Sequence, residues 1–479
     1  MSLYILDSDV LVLGSGLAGL RAAWAALETD PRLNVTVVSQ TSGPSGSSFA
    51  NMNNRLGMQV CMDDREREAF VKDARSIAPP GHIDVGLASL LAEESEARFR
   101  DLVDIGFPFD REARGAYFRV TGCFSPEEKR AFIYTGLADA FDKMKGRVLS
   151  LGGRFLDGWL LQDLVKTGPD NSSRVCGAVF QRANGNDKMA IIASSVIVAL
   201  GGPAPLFSLN VCGPGNHGVS YALLKRAGAE LVNTPYLQFM WHQIPFRQFW
   251  PIQDFLTNGT RIRRWDGKVL PVPEALFELA GKRATHCPVG YDFEDTAADL
   301  FFIENLSFSG EVDALVEPDS QITIALMAHA GNGGAIIDEN AWTGVPGLYA
   351  CGESAGGMHG ANRIGGAMVT ATQVFGARAG KAAARGADGR GAINQKQFSK
   401  LAANMIGSQV EDETECRELQ HWLRNGMQTF AVFGGRPGLD SFMCECRRKL
   451  LVARDWRLRL ALEAAILIGD ASNVRVLNG

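Results

Sequence analysis

Asp9-Val10-Leu11-Val12-Leu13-Gly14-Ser15-Gly16-Leu17-Ala18-Gly19 begins as an apolar run and ends on glycines spaced GxGxxG. The following Leu17 to Leu27 is rich in Ala and Leu and predicts a helix, and the β-branched Val35-Thr36-Val37-Val38 predicts a second strand. In such a strand, turn and helix the first glycine makes the tight turn and the second lets backbone approach a diphosphate. The third lets the helix pack closely. The helix N-terminus adds free N–H groups and partial positive charge for the phosphates. The stretch therefore predicts an α/β domain of Rossmann type that holds a dinucleotide. The acid that often binds a ribose after the second strand is missing, since Ser39-Gln40 stand there; a hydroxyl or other contacts must take its role.

Outward from this unit, residues 64–105 follow helical spacing until Gly106-Phe107-Pro108-Phe109 interrupts them, and Ser195 to Leu200 reads as a buried strand before Gly201-Gly202. From 236 to 324 the composition shifts toward Pro, Trp, Arg and Phe with little periodicity, as in an inserted domain with long loops. Strand-like Gly347 to Cys351 resumes the first domain, 385–395 reads as a linker, and 396–470 as helical, with helices over Ser399 to Ile406 and Cys444 to Ile468. At 479 residues the chain is too long for one core. The expected architecture is a Rossmann-like domain (1–235 and 325–390), an inserted α+β capping domain (236–324) and a short C-terminal helical region (391–479).

The formal net charge of -5 and the charged fraction of 21% argue against nucleic acid as the main partner. No uncharged apolar run approaches the roughly 18 to 20 residues of a membrane span. Val10 follows the start without a basic leader, so a cytoplasmic protein is expected. The nine cysteines include no CxxC pair, which removes the usual ligands of zinc and of iron–sulfur clusters and predicts no metal. Cys444-Glu445-Cys446 reads as a helix flank. Any electron-carrying centre is then an organic cofactor. A second GxGxxG, Gly213 to Gly218, lacks a convincing strand before it and reads as a turn and helix start, so no separate NAD(P)H domain is expected.

Gly46-Ser47-Ser48-Phe49-Ala50-Asn51 is a serine-rich loop after the second strand. Gly347-Leu348-Tyr349-Ala350-Cys351-Gly352-Glu353 is followed by Gly356-Gly357-Met358-His359-Gly360-Ala361-Asn362-Arg363-Ile364-Gly365-Gly366, and Ala328-His329-Ala330-Gly331-Asn332-Gly333-Gly334 precedes both. These segments resemble the FAD-dependent fumarate reductase / succinate dehydrogenase flavoprotein family, which includes L-aspartate oxidase, over most of residues 9–385. The resemblance implies FAD as cofactor. It places FAD against Gly14, Gly16, Leu17, Ala18 and Gly19, then Ser39 and Gln40, then Ser47, Ser48, Ala50 and Asn51. Further contacts implied are Gly201, Gly352 and Glu353, and Ala367, Met368 and Val369 at a helix start. Gly46 stands where members with covalent flavin carry histidine, which implies noncovalent FAD. Glu353 is suited to accept from ribityl hydroxyls, and a helix starting near Ala367 would aim its positive end at the flavin edge that gains charge on reduction.

In the family the residues matching Arg363, His329 and Thr257 hold a substrate carboxylate, and a planar guanidinium does so with two parallel hydrogen bonds. The inserted segment departs from the family pattern. Leu256-Thr257-Asn258-Gly259-Thr260-Arg261 keeps Thr257 and Arg261, while the proton-relaying glutamate is Asn258, and an amide does not exchange protons as a carboxylate does. Met240 replaces a histidine, with His242 two residues away as a substitute or as packing. The family's catalytic arginine falls on Lys282 or Arg283, which read equally as basic residues of a surface helix. The expected function is hydride transfer between FAD and a small carboxylate-bearing substrate, with an external redox protein, quinone or O2 as electron partner. A peripheral complex with an electron-transfer subunit would fit. Two alternatives stand beside it: an O2-using amine or amino-acid oxidase, and an electron-relay subunit with a decayed substrate site.

Overall fold

The computed structural model describes residues 3–168, 173–316, 320–387, 394–405 and 413–476. Strand Leu3–Leu13, helix Leu17–Thr29 and strand Val35–Ser39 form the expected opening unit. The first strand starts earlier than its apolar run because Leu3 to Ser8 pair in parallel with Lys188 to Ala193. Backbone pairing thus extends the strand through polar Asp7 and Ser8, where side-chain pattern carries no signal.

A seven-stranded sheet organises the Rossmann-like half. Arg154–Asp157, Val35–Ser39, Leu3–Leu13 and Lys188–Val198 lie side by side in parallel, and Leu348–Ala350 adds to the last of them. Val175–Arg182 and Trp159–Lys166 continue the sheet antiparallel. Two long helices cover one face: Leu17–Thr29 and Ala367–Gly386 approach so closely that a Cβ at Gly380 would strike the Ala22 carbonyl. The span read at helical spacing before Gly106 is two helices, Asp64–Ser76 and Val85–Asp104, each opened by an aspartate that accepts from a first-turn N–H.

The inserted segment carries a six-stranded antiparallel sheet containing Leu237–Gln243, Ser320–Gly331, Glu311–Val316 and Arg261–Arg263. Ser320–Gly331 runs through the expected boundary at 324 and ends in the Rossmann-like half, which is how one strand delivers His329 from the cap sheet to the cofactor side. The cap core, with Trp241, Phe255 and Phe302, is continuous with Leu423, Met427 and Leu462 of the C-terminal helices.

Where a helix was expected over 444–468 there are two, Leu439–Val452 and Trp456–Val476. Asp455 breaks the run by accepting from Leu458 N–H at 2.9 Å, an N-cap contact. The helix expected over Ser399 to Ile406 is Gln395–Met405, and its apolar face is covered, with Phe398 and Ala402 against Val165, Val179 and Ala190. Of the expected linker, residues 388–393 lie outside the described residues. No helix among the described residues is long and apolar enough to cross a membrane.

Candidate active site

A cavity of about 390 Å³ runs from the glycine turn to the cap. Gly14 has φ +106, and a Cβ there would strike the Ala199 carbonyl; a Cβ at Gly19 would strike Gly14 itself. At Gly16 the space is open, with only Ser48 Oγ at 3.7 Å, so this backbone is free to be approached. The division of labour is the one a diphosphate-binding turn requires.

Gly14, Gly16, Leu17, Ala18, Ser39, Gln40, Ser47, Ser48, Asn51, Gly201, Gly352, Glu353, Met368 and Val369 all line this cavity. Gly19, Ala50 and Ala367 stand behind the wall: Gly19 on Gly14, Ala50 on Gly213, and Ala367 fully buried at the helix start. The residues fit FAD on physical grounds. Asn51 Nδ2, His329 Nδ1 and Arg363 Nη1 are buried without a hydrogen-bond partner, an arrangement that costs about 1–3 kcal/mol per group unless a ligand completes it.

At the ribose end the missing acid is replaced by a network. Ser39 Oγ lies 2.8 Å from Asp157 Oδ1 on the neighbouring strand, and Gln40 Oε1 lies 2.5 Å from His217 Nε2. The surrounding cavity wall, then Arg424 and Arg457, lower the His217 pKa, although the residue keeps an exposed edge. Arg424, Trp456 and Arg457 of the C-terminal helices line the same end, as do Gly215 and Asn216 of the second glycine motif. That motif precedes the helix Ser220–Ala227 and also walls the cavity. Asn216 and His217 were within reach of the sequence, since they fall in a glycine-rich turn; Arg424 and Trp456 carried no local signal.

Toward the cap, Arg363 is 5% exposed. Its Nη2 donates to Gln238 Oε1 at 2.5 Å, and Gln238 Nε2 donates back to Arg363 O at 3.1 Å, so one glutamine fixes both ends of the arginine. Burial lowers its pKa to about 10, opposed by Glu353, which leaves it cationic at neutral pH. Glu353 Oε2 accepts from Gly331 N–H at 3.1 Å; burial raises its pKa while Arg363 and that N–H pull it down. His329 shares the cavity with Arg363. Burial, then Arg363 and His242, lower its pKa to about 3. His359 is held neutral by burial in the same way, and its Nε2 has no partner. Asn362 clamps the loop by donating to Ile77 O and Tyr291 O, both at 2.9 Å, and accepting from Tyr291 N–H at 2.7 Å.

The remaining residues singled out in the sequence stand outside this lining. Thr257 is exposed and hydrogen-bonded to Thr260, and Arg261 is exposed on its strand. His242 is buried between Met240 O at 3.1 Å and Asn53 Oδ1 at 3.3 Å. Lys282 is exposed and paired with Glu294. Arg283 is buried, with Nε donating to Asp299 Oδ2 at 2.8 Å and Nη2 to Asp299 Oδ1 at 3.2 Å and Cys287 O at 3.1 Å. Its Nη1 donates to His286 O. Gln238 and His359 were missed as site members, because a glutamine and a glycine-flanked histidine acquire meaning only beside Arg363.

A Rossmann-type sheet, a diphosphate turn and an elongated cavity ending at a buried arginine define a flavin-binding oxidoreductase fold. The family model described as FAD binding domain matches residues 9–261 and 294–369, and the chain belongs to this family. It is an FAD-dependent flavoprotein of the fumarate reductase / succinate dehydrogenase kind. It is 28% identical over 480 residues to a subunit of the CoM/CoB fumarate reductase of Methanothermobacter marburgensis, covering 91% of this chain and 84% of that one. It is 26% identical over 393 residues to L-aspartate oxidase of Streptomyces coelicolor, covering 75% of this chain and 66% of that one. Among solved structures, E. coli quinol fumarate reductase FrdA superposes with a TM-score of 0.73 at 18% identity, covering 98% of this chain and 88% of that chain.

Proposed function

We propose that the chain transfers hydride to or from a small carboxylate-bearing substrate anchored at Arg363. The observation that carries this reading is the bare, buried Arg363 Nη1 beside the bare His329 Nδ1 in one cavity. FAD, when bound, supplies a centre that accepts or returns a hydride. Gln238 orients Arg363 so that its free edge faces the cavity, and the guanidinium holds the carboxylate and draws electron density from the adjoining carbon. His329, neutral, completes the anchor with a single hydrogen bond. Walls from the cap sheet and the loop clamped by Asn362 exclude water from the anchor.

Arg283 we assign to holding the cap together, since Asp299 and two carbonyls already satisfy it. Electrons come from or pass to a separate partner, a redox protein or a quinone; the FrdA likeness supports a complex, and the methanogen relative, itself one chain of a larger reductase, points the same way. A reducing, cytoplasmic setting agrees with nine free cysteines. The oxidase reading is favoured by Asn258 in place of an acid and by the L-aspartate oxidase relatives.

The test is anaerobic. Fumarate, succinate, aspartate and other small acids are titrated into the FAD-loaded protein and the flavin spectrum is followed, then the photoreduced protein is offered the same acids and O2. A perturbed spectrum that disappears in Arg363→Gln supports the anchor. Indifference of the wild-type flavin to every acid sinks it, and rapid reoxidation by O2 with an amino acid as reductant selects the oxidase.

A further inference from the structure

Cys123 and Cys287 meet where the cap packs against the loop after Gly122. Cys123 lies in the tight loop that joins Gly122 to Ser125, and its carbonyl accepts from Gly365 N–H at 3.0 Å, two residues beyond Arg363. Cys287 belongs to the cap. It directly follows the Arg283 and His286 cluster, and its neighbours Pro288 and Val289 join the cap strand at Met240 and Phe239. The Cys287 N–H donates to Cys123 Sγ at 3.3 Å, which sets the two cysteines side by side. A backbone N–H held on the partner's sulfur keeps the two residues adjacent, as closure of a disulfide between them requires. Both residues are half-buried.

Cys123 also differs chemically from the other thiols. The Cys287 side chain and N–H, with His286 and Arg283 nearby, outweigh burial and bring the Cys123 pKa down, while the same pairing and burial push the Cys287 thiol up. Burial instead pushes Cys61, Cys176, Cys212, Cys351, Cys416 and Cys446 up. The thiolate is the attacking species, so Cys123 is the nucleophile of the pair.

We propose that Cys123 and Cys287 form an oxidant-responsive dithiol site that reacts with low-molecular-weight disulfides and closes into a bond stapling the cap to the flavin-binding half. The Cys123 thiolate attacks one sulfur of the disulfide RSSR and expels RS⁻. Cys287 then passes its proton to the departed thiolate and attacks the Cys123 sulfur, releasing the second thiolate, which takes up the proton Cys123 gave to solvent. Two protein thiols lose two electrons, one RSSR gains them, and two RSH leave. The staple fixes the cap beside the loop that carries Arg363. It is independent of which substrate that arginine holds.

The FAD-loaded full chain is incubated with glutathione disulfide, free thiols are blocked with iodoacetamide, and unreduced peptides are mapped by mass spectrometry. The expected product links the Cys123 and Cys287 peptides, is released by dithiothreitol, and is absent from C123S and C287S. In C287S, Cys123 instead retains glutathione. At neutral pH, iodoacetamide should alkylate Cys123 at least about tenfold faster than exposed Cys444, and C287A should slow it. Wild-type protein carrying glutathione on both cysteines without a link, or alkylation of Cys123 no faster than Cys444, overturns the proposal; both readings come from the wild-type chain and do not depend on a variant folding.

Discussion

Arg363 and Arg283 are both buried arginines, and their surroundings differ in one respect. Arg283 has an aspartate and two backbone carbonyls around its fork, so its hydrogen-bonding capacity is filled from within the cap. Arg363 has Gln238 on one nitrogen and nothing on Nη1. A filled guanidinium belongs to the fold, and removing its partner strands a charge. An incomplete one that lines a cavity, as Arg363 does, is open to completion by a ligand. The same contrast separates His242, bonded on both ring nitrogens, from His329, whose Nδ1 is bare.

The sharpest way to break this contrast is Asp299→Ala. It leaves the Arg283 guanidinium buried and unpaired, with an expected loss of about 3–5 kcal/mol of stability; urea denaturation checks it. Arg283→Lys that folds like wild type yet abolishes turnover would return Arg283 to a catalytic role. Next in size, Arg363→Gln should cost roughly 2–4 kcal/mol of carboxylate affinity, about 30- to 1,000-fold, by flavin-perturbation titration. Its stability in urea should fall by about 1–3 kcal/mol as well, because the substitution also strands Gln238 Oε1 and removes the cation beside buried Glu353. Smaller again is Arg424→Gln at the ribose end. A partly exposed cation there contributes on the order of threefold to tenfold to FAD affinity, an effect that shrinks as salt is raised. Unchanged FAD affinity at low salt would remove the C-terminal helices from the cofactor site.

Much of the flavin side of this contrast was legible in the amino-acid sequence. The glycine turn, the serine-rich loop and the GGMHGANR stretch are local: each places backbone or side chain within a few residues of its signal, so the cavity lining follows the sequence closely. The cap side was not legible, because its residues are defined by long-range partners. Arg283 depends on Asp299, and His242 on Asn53 in the other half of the molecule. No spacing in the sequence reports such pairs. Likewise the break at Asp455 and the placement of Arg424 near His217 follow from how the terminal helices pack, which apolar periodicity does not determine.

The smallest effect tests whether His329 and Arg363 act together. His329 has a folded pKa lowered to about 3 by burial, against an unfolded value near 6.5. Between those values the unfolded chain binds the extra proton and the folded chain does not, so stability rises with pH. The contribution is fully present above about pH 6.5 and is lost progressively as pH falls toward 3. For one histidine the loss between pH 8 and pH 6 is about 1 kcal/mol or less, and His329→Gln should remove that share from the urea midpoint. His242 and His359 are also lowered by burial and keep the remaining slope of the same sign. A carboxylate seated against Arg363 and His329 favours the protonated ring and raises its pKa, so a saturating carboxylate ligand should flatten the acid slope of the wild type and leave that of Arg363→Gln unchanged. Equal slopes with and without ligand in the wild type would mean that the carboxylate does not touch His329, and the anchor would reduce to Arg363 alone.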